Sequence, residues 1–278
     1  MGRWVAVVLL FGVTVLWGAT FPVVKLALDS ASVGAFLALR FLLAFAALVA
    51  TSYRRAKPRW EPASVLCGLL LFAGYGLQTA GLAETLPSRS AFVTSLSVIL
   101  VPVLQGIFRG QLASARVWIA AGVALAGLVL LLRPETAPLT AGDGLTFLCA
   151  VAFAGHVLAL AEAVKRQHPA AVNIVQLGVV ALASPLLAAL TPSYLRWTPQ
   201  LGVALAVTGL LASALAFGVM AKVLVVLKPS ETGVILAFEP VAAAVISVLL
   251  GYENVTASMI LGGLLVASGV ALVAKAEA

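Results

Sequence analysis

A glutamate and a proline, Glu239-Pro240, interrupt one of the most apolar stretches of this chain, residues 230–250. If that stretch spans a membrane, an ionisable side chain within it costs roughly 3 kcal/mol and by default marks a functional site. The proline removes a backbone donor and frees a carbonyl that lipid cannot satisfy. We therefore expect this stretch to line a hydrated cavity.

A second charge, Arg40, lies in the middle of another apolar run, at residues 33–51. At 1.5 Å per residue, Glu239 and Arg40 fall at nearly the same depth of a hydrocarbon core about 30 Å thick. We predict that they form a buried ion pair, in which each charge offsets the desolvation of the other. Such a pair could be a static strut, a gate or a proton site.

Other polar and aromatic side chains inside apolar runs could contact a substrate. The substrate-binding candidates are Trp17, Thr20, Tyr75, Gln78, Ser97, His156, Ser213 and Glu239, with Phe21, Phe153 and Phe217 extending an aromatic lining. The aromatic residues could equally be filler between helices, and the hydroxyls could join helix pairs. His156 could relay protons or donate a hydrogen bond to a helix carbonyl.

Two further charges have local explanations. Lys25 lies near the end of its run and is predicted to pair with Asp29 at a spacing of four residues. Glu162 is predicted to pair with Arg166 at the same spacing.

The composition identifies the class of protein. Of the 278 residues, 63% are hydrophobic and 10% are charged, and the mean hydropathy is +1.14. No soluble domain of this size could bury that much apolar surface, so an all-α polytopic membrane protein is predicted. The net charge of +7 does not indicate a nucleic-acid partner, because the positive residues cluster in short loops between apolar runs. Cys67 and Cys149 lie within apolar segments and are expected to pack there, without a disulfide or a metal.

Ten apolar segments reach spanning length, at about 17–25 residues each. They are predicted at residues 4–28, 33–51, 64–83, 91–107, 117–132, 145–164, 170–190, 201–226, 232–250 and 259–274. The first is expected to be a retained span, because it is too long for a signal peptide and lacks a clear cleavage site. Bends are predicted at Pro22, Pro102 and Pro240.

The Lys and Arg residues are distributed unequally between the two sets of loops. With the amino terminus inside, twelve lie in cytoplasmic loops and three, Arg89, Arg133 and Arg196, lie in outer loops. The positive-inside rule then places both termini in the cytoplasm. We expect a multi-pass protein of the bacterial cytoplasmic (inner) membrane, with the lipid bilayer around it.

The two halves of the chain repeat, and the repeats are predicted at residues 1–137 and 138–278. Residues 12–28 align with 144–160, Gly68-Leu69-Leu70 with Gly209-Leu210-Leu211, Pro87-Ser88 with Pro229-Ser230, and Gly127 with Gly269. Arg40 then corresponds to Gln176, and Glu239 to Ser97. Each half holds five spans, an odd number, so the copies must be inverted around a central cavity. Inverted repeats with interrupted spans are typical of secondary transporters that alternate access.

The chain resembles the EamA-type family of the drug/metabolite transporter superfamily over essentially its whole length. The matching pieces are Trp17-Gly18 with Phe21 and Lys25, then Leu39-Arg40-Phe41-Leu42-Leu43-Ala44, then Glu239-Pro240-Val241 followed by Leu249-Leu250-Gly251, Glu253, Gly262, Gly263 and Gly269. It departs from the family where a Gly-Glu pair reads Gly110-Gln111 and Gly251-Tyr252-Glu253, and where Val98 stands opposite Pro240.

The resemblance implies that spans 3, 4 and 6 and spans 1, 8 and 9 surround the cavity, with spans 5 and 10 peripheral. It also implies export of amino acids or similar small metabolites, with the YddG-type exporters of aromatic and neutral amino acids as a neighbour. Sugar-phosphate or nucleotide-sugar exchange ranks lower, because only Lys25 and Arg40 could serve as intramembrane cations. Efflux of cationic drugs on Glu239 would be opposed by an Arg40 partner.

An intramembrane enzyme is the alternative class, and the sequence supports it poorly. It has two distant histidines, no His-x-x-Glu-His spacing and no paired membrane aspartates. There is no ATP-binding signature, so no cofactor is expected. The two halves complete one another, so a monomer would suffice.

Overall fold

Long apolar runs become helices in a membrane because only the helix itself can satisfy their backbone polar groups. The computed structural model describes residues 1–54, 56–85, 87–132, 139–249 and 254–275. Within these ranges, nine helical stretches are long and apolar enough to cross a membrane, and a tenth, Ala115–Leu131, is somewhat shorter. The prediction of an all-helical polytopic membrane protein is therefore confirmed. The predicted Gly251-Tyr252-Glu253 motif and Arg133 lie outside the described residues.

The first half contains three continuous spans, a divided fourth span and a fifth. They are α1 (Arg3–Ala27), α2 (Val33–Ser52), α3 (Pro62–Glu84), the pair α4 (Pro87–Ser95) and α5 (Ser97–Arg109), and α6 (Ala115–Leu132).

The second half repeats this order, with two of its spans irregular. It comprises α7 (Ala141–Arg166), α8 (Pro169–Leu190), an eighth span of α9 (Pro199–Leu205), a π-helical stretch (Ala206–Leu215) and α10 (Ala216–Val223), a ninth span of α11 (Pro229–Leu236) and α12 (Glu239–Leu249), and α13 (Ala257–Ala274).

Two spans are interrupted, and one of the predicted prolines, Pro240, accounts for one of the breaks. α1 runs through Pro22 without interruption, and the fourth span breaks at Leu96, ahead of Pro102. The ninth span breaks directly after Leu236, one turn before Pro240. A proline cannot donate to the carbonyl four residues earlier, and its ring clashes with it. For Pro240 that carbonyl belongs to Leu236, so the break precedes the proline that causes it.

The two broken spans resume at residues that the repeat alignment makes equivalent. α5 begins at Ser97 and α12 begins at Glu239. A tight turn precedes each start, with Leu96 N–H donating to the carbonyl three residues earlier at 3.2 Å and Ala237 N–H doing the same at 3.2 Å. The breaks therefore place the N-terminal ends of two half-helices inside the bundle.

The fifth and tenth spans pack against each other, antiparallel, at the side of the bundle. A Cβ added to Gly127 would lie 2.7 Å from the Gly262 carbonyl oxygen, and one added to Gly269 would lie 2.7 Å from the Ala120 carbonyl oxygen. The same offset of 142 residues relates Gly127 to Gly269 and Ala120 to Gly262. Equivalent residues thus make the same close contact twice.

A second pair of glycines brings the central helices together in the same repeated way. A Cβ on Gly68 would lie 2.9 Å from the Gln176 carbonyl oxygen, and one on Gly209 would lie 3.0 Å from the Arg40 carbonyl oxygen. Gly68 is equivalent to Gly209, and Gln176 to Arg40, in the sequence alignment. Because these positions lack side chains, α2 and α8 can approach the helices that face the centre.

Each end of the bundle is fastened by an ion pair between the two halves. At the terminal end, where both chain termini lie, Arg3 is 3.1 Å from Glu231 and also donates to the Val273 carbonyl at 2.9 Å. At the opposite end, Arg89 is 2.9 Å from Asp143. Each pair joins the first span of one half to the fourth span of the other half.

Lys25 does not pair with Asp29 as predicted. Its ammonium donates to the carbonyl oxygens of Leu82, Ala83 and Thr85, at 2.6, 3.0 and 3.2 Å. The last carbonyls of a helix have no partner within the helix, and a cation at that end satisfies them. Lys25 therefore ties α1 to the end of α3.

The predicted pair of Glu162 with Arg166 is confirmed. Their charged groups lie 3.0 Å apart at the C-terminal end of α7, and Lys165 also contacts Glu162, at 3.2 Å. These charges are exposed on the surface and lie away from the central cavity.

Candidate functional site

A cavity of about 720 Å³, including its opening, lies where the two halves meet. Six spans contribute to its walls (1, 3, 4, 6, 8 and 9), as the resemblance implied, and α2 adds Arg40. The lining residues are Trp17, Thr20, Phe21, Val24, Arg40, Tyr75, Gln78, Thr79, Leu82, Thr94, Ser97, Phe153, His156, Val157, Phe217, Met220, Leu236 and Glu239. In the described part of the chain, none comes from α6 or α13.

The cavity brings together all but one of the side chains that the sequence nominated for substrate binding. Trp17, Thr20, Tyr75, Gln78, Ser97, His156 and Glu239 line it. The exception is Ser213, which lies fully buried behind the wall, where its hydroxyl accepts a hydrogen bond from Arg40 at 3.0 Å.

One wall of the cavity is a cluster of aromatic rings around Phe217. The ring centres of Trp17, His156 and Tyr75 lie 5.0, 5.6 and 6.1 Å from that of Phe217. The indole N–H of Trp17 donates to the Ala212 carbonyl at 2.7 Å, which satisfies the one polar group of this side chain. Ala212 belongs to the π-helical stretch, so this irregular backbone anchors the aromatic wall. Such a wall suits an apolar or aromatic ligand group.

Contacts with three neighbouring side chains hold Arg40 in one orientation. Its side chain is 2% exposed, its Nε donates to Ser213, and its guanidinium carbon lies 4.3 Å from the ring centre of Tyr75 and 5.1 Å from that of Phe41. These contacts supply one hydrogen bond and two cation–π interactions. The Nη2 group is buried without a hydrogen-bond partner.

The predicted ion pair between Arg40 and Glu239 is not formed. Among the described residues, every ion pair shorter than 4.0 Å involves other charges. The Glu239 carboxylate lines the same cavity and accepts no hydrogen bond from any described residue. Equal depth on two helices does not determine which way their side chains project, and the interactions with Ser213 and Tyr75 direct Arg40 elsewhere.

The equivalent position in the second half is satisfied within the protein. Gln176 Oε1 accepts a hydrogen bond from His156 Nε2 at 2.8 Å, and the Gln176 amide nitrogen donates to Asn173 Oδ1 at 2.9 Å. Asn173 in turn donates to the Ala214 carbonyl at 3.1 Å. This chain of bonds fixes the imidazole of His156 against the cavity wall.

The remaining polar candidates differ in how far their hydrogen-bonding groups are already used within the protein. The Thr20 hydroxyl is used within its own helix, donating to the Trp17 carbonyl at 2.7 Å. Gln78 makes one long hydrogen bond, from its amide nitrogen to Thr94 Oγ1 at 3.4 Å. The side chain of Ser97 is half-buried at the start of α5.

Six further lining residues were not predicted from the sequence, and most of them are apolar. They are Val24, Thr79, Leu82, Val157, Met220 and Leu236. The available signal was helical spacing: positions 17, 20, 21 and 24 of α1, and 75, 78, 79 and 82 of α3, each follow one face of a helix. On these two helices, extending the nominated residues by this period would have found Val24, Thr79 and Leu82, three of the six.

Comparisons with known proteins agree with this architecture. A protein of known crystal structure superposes with a TM-score of 0.83 at 19% sequence identity, covering 98% of this chain and 96% of that chain, which shows a shared fold. An uncharacterized transporter of Archaeoglobus fulgidus is 28% identical over 262 residues, which is 94% of this chain and 83% of that protein.

The profile of the EamA-like transporter family matches the chain twice, at residues 4–133 and 140–275. These two matches cover nearly the whole sequence and include every side chain that lines the cavity. The resemblance noted in the sequence motifs is thus confirmed at the level of the family. This multi-pass membrane protein belongs to the EamA-like transporter family.

Proposed function

We propose that the protein is a secondary transporter that exports amino acids with aromatic or neutral side chains, or similar small metabolites. The observation that carries this proposal is the central cavity, whose walls combine an aromatic cluster with a few polar groups that the protein does not fully satisfy. A substrate side chain would stack on the rings around Phe217, as in the YddG-type exporters that the motifs resemble.

The proposal includes two inverted repeats, at residues 1–137 and 138–278. Its support is the close contact that equivalent residues make twice, Gly127 with Gly262 and Gly269 with Ala120, between antiparallel helices. A two-fold axis that exchanges two antiparallel neighbours runs across them, and therefore lies in the plane of the membrane. This is the symmetry expected of transporters that alternate access around a central site.

Alternating access would require each end of the bundle to open in turn. The Arg3–Glu231 and Arg89–Asp143 pairs lie at opposite ends and each joins the first span of one half to the fourth span of the other. We propose that one pair separates while the other holds. In each pair the arginine is partly exposed although the carboxylate is buried, so each contributes on the order of 1 kcal/mol, and a bound substrate could shift such a balance.

We further propose that the protein is a monomer of the bacterial cytoplasmic membrane with both termini in the cytoplasm. The unequal distribution of Lys and Arg supports this orientation. Ser114→Cys and Ser193→Cys place matched exposed thiols in loops at the two ends, while the natural Cys67 and Cys149 are buried. A membrane-impermeant maleimide should label Ser193→Cys in intact cells and Ser114→Cys only after lysis; the reverse pattern would invert the topology.

The test of the proposed function is counterflow in proteoliposomes. Vesicles loaded with an unlabelled amino acid would be given the same labelled compound outside, across a panel that includes phenylalanine, methionine and threonine. Saturable accumulation, absent from empty liposomes, is expected for aromatic and neutral members. No accumulation of any amino acid would contradict the substrate assignment.

Coupling to protons is proposed through Glu239, which lines the cavity at the start of α12. If its carboxylate carries a proton during each cycle, Glu239→Gln should make counterflow independent of pH while wild-type counterflow varies with pH. His156→Gln is the matched comparison, because it replaces the one histidine among the described lining residues. A pH dependence that survives Glu239→Gln would exclude Glu239 as the proton carrier.

Efflux of cationic drugs is the second candidate, and the structure removes one objection to it. Glu239 is not paired with Arg40, so its carboxylate is open to a cationic ligand. Uptake of a lipophilic cation in the same vesicles tests this candidate. Sugar phosphates stay less favoured, because Arg40 is the only Lys or Arg among the described lining residues.

A further inference from the structure

We infer that the cavity recognises a zwitterion by dividing its charges between two side chains, with Arg40 receiving the carboxylate and Glu239 receiving the ammonium. This inference rests on the proposed function and adds which protein groups select the substrate. It makes two free charged groups on the ligand a requirement for tight binding, beyond a suitable apolar side chain.

Arg40 presents an unsatisfied donor in a fixed position. Its Nε donates to Ser213, and the face of its guanidinium lies over the ring of Tyr75. The Nη2 atom is buried and has no partner. A buried polar group without a partner is costly, and a charged one more so. A ligand carboxylate that accepts a hydrogen bond from Nη2 would remove that cost.

Glu239 presents the opposite charge in the same cavity. Its carboxylate lines the wall, forms no ion pair and accepts no hydrogen bond in the described part of the protein. The break after Leu236 places it at the first position of α12, where the N-terminal end of the helix favours a negative charge. No cationic side chain in the described part of the protein pairs with this carboxylate, so an ammonium group of the ligand can take that place and stabilise its ionised form.

Two separate, uncompensated charges of opposite sign favour a zwitterion over a ligand with one charge. An anion bound at Arg40 would leave Glu239 without a partner, and a cation bound at Glu239 would leave Arg40 without one. Only a ligand that carries both charges satisfies both side chains at once. Direct contact between Arg40 and Glu239 would have closed the site to such a ligand, and that contact is absent among the described ion pairs.

The experiment uses three compounds that share one ring and differ in charge. Counterflow of labelled phenylalanine into proteoliposomes is competed with unlabelled phenylalanine, with 3-phenylpropanoate, which lacks the ammonium, and with phenethylamine, which lacks the carboxylate. For the wild type, each single-charge analogue should compete about ten- to a hundredfold more weakly than phenylalanine, the usual worth of a hydrogen bond to a charged group.

Two variants should change these ratios in a crossed pattern. In Arg40→Gln, phenethylamine should compete as well as phenylalanine, while 3-phenylpropanoate stays weak. In Glu239→Gln the preference should reverse, so that 3-phenylpropanoate competes as well as phenylalanine. Glu162→Gln, a surface carboxylate outside the cavity, should keep all three wild-type ratios.

The outcomes separate this inference from the proposed function. Phenylalanine counterflow in which all three compounds compete equally would overturn the inference and leave an amino-acid carrier standing. No counterflow of any amino acid would overturn both. If Arg40→Gln does not fold, the wild-type ratios still decide, and Arg40→Lys, which keeps the charge, should retain discrimination against phenethylamine; loss of it would count against the inference.

Discussion

The two halves of this protein place equivalent residues at its centre, yet only one half leaves its polar group open. In the second half, Gln176 is satisfied by His156 and Asn173. In the first half, Arg40 donates to Ser213 and keeps a buried donor without a partner. The same backbone contact, made by equivalent glycines, supports both. One copy of the site is therefore satisfied within the protein, and we propose that a ligand satisfies the other.

The fourth and ninth spans differ in the same way, since only one of the two equivalent positions is charged. Ser97 and Glu239 begin equivalent half-helices, and only one of them carries a charge. Two carboxylates and two guanidiniums in one small cavity would repel in like pairs and would each need a partner. With one carboxylate and one guanidinium, the proposed site can bind a single zwitterionic ligand. The glycine contacts between the surrounding helices are still made twice.

At each end of the bundle, the two halves are joined by an ion pair. Arg89 is equivalent to Glu231, since Pro87-Ser88 aligns with Pro229-Ser230. Arg89 pairs with Asp143 and Glu231 pairs with Arg3. Both ends keep an ion pair although Arg89 and Glu231, at equivalent positions, carry opposite charges; their partners Asp143 and Arg3 are not equivalent in the alignment. This teaches that the contact between spans is retained even where the residues that make it change.

The largest effect on transport is expected at Arg40, whose buried donor has no partner in the protein. Arg40→Gln gives the first half the residue that the second half already has, and should reduce phenylalanine counterflow about ten- to a hundredfold. The folded fraction should change little, because replacing a charge that is only partly satisfied removes its desolvation cost as well. Counterflow per folded molecule, checked by size-exclusion chromatography, is the measurement. Near-wild-type rates would make the two sites functionally alike.

A change at Gln176, the site that is satisfied within the protein, should lower stability more than it lowers transport. Gln176→Leu leaves His156 Nε2 and Asn173 Oδ1 without partners, and should lower the free energy of unfolding by about 1–3 kcal/mol. Thermal unfolding in detergent measures this loss. Counterflow per folded molecule should fall less than in Arg40→Gln; a larger fall would show that the second site also serves the substrate.

The repeated glycine contacts predict two related losses of stability. Gly68→Ala and Gly209→Ala should each cost about 1–3 kcal/mol, because their Cβ atoms would lie 2.9 and 3.0 Å from a carbonyl oxygen of a facing helix. Gly68→Ala should cost more, since Val179 Cβ is also within 2.5 Å. Gly122→Ala, which meets nothing within 4 Å, is the control and should be neutral or stabilising. Equal stability of all three variants would contradict the packing described here.

The smallest effect is expected at the ends. Arg3→Gln and Arg89→Gln each weaken one ion pair by about 1 kcal/mol, which is about fivefold in a conformational equilibrium. With Thr94→Cys as a probe in the cavity wall, Arg3→Gln should speed labelling from the terminal end and Arg89→Gln from the opposite end. Both variants favouring the same end would contradict alternate opening.

Much of the architecture could be predicted from the chain alone. Hydropathy located the spans, because a bilayer leaves an apolar run no alternative to a helix. Glu239-Pro240 indicated an interrupted span facing a cavity, and the break lies one turn earlier because proline acts on the carbonyl four residues back. Trp17, Tyr75 and His156 were nominated as polar or aromatic residues within apolar spans, and all three line the cavity.

The sequence by itself determined which segments cross the membrane, which residues repeat, and which polar side chains had to be sheltered from lipid. Only the tertiary structure decided how those side chains are paired. Arg40 bonds Ser213, which is 173 residues away, and Lys25 caps α3 instead of contacting Asp29. The reason is physical: burial depends on composition along one helix, whereas a hydrogen bond depends on the rotation and approach of two helices, which are set by contacts such as those of Gly68 and Gly209.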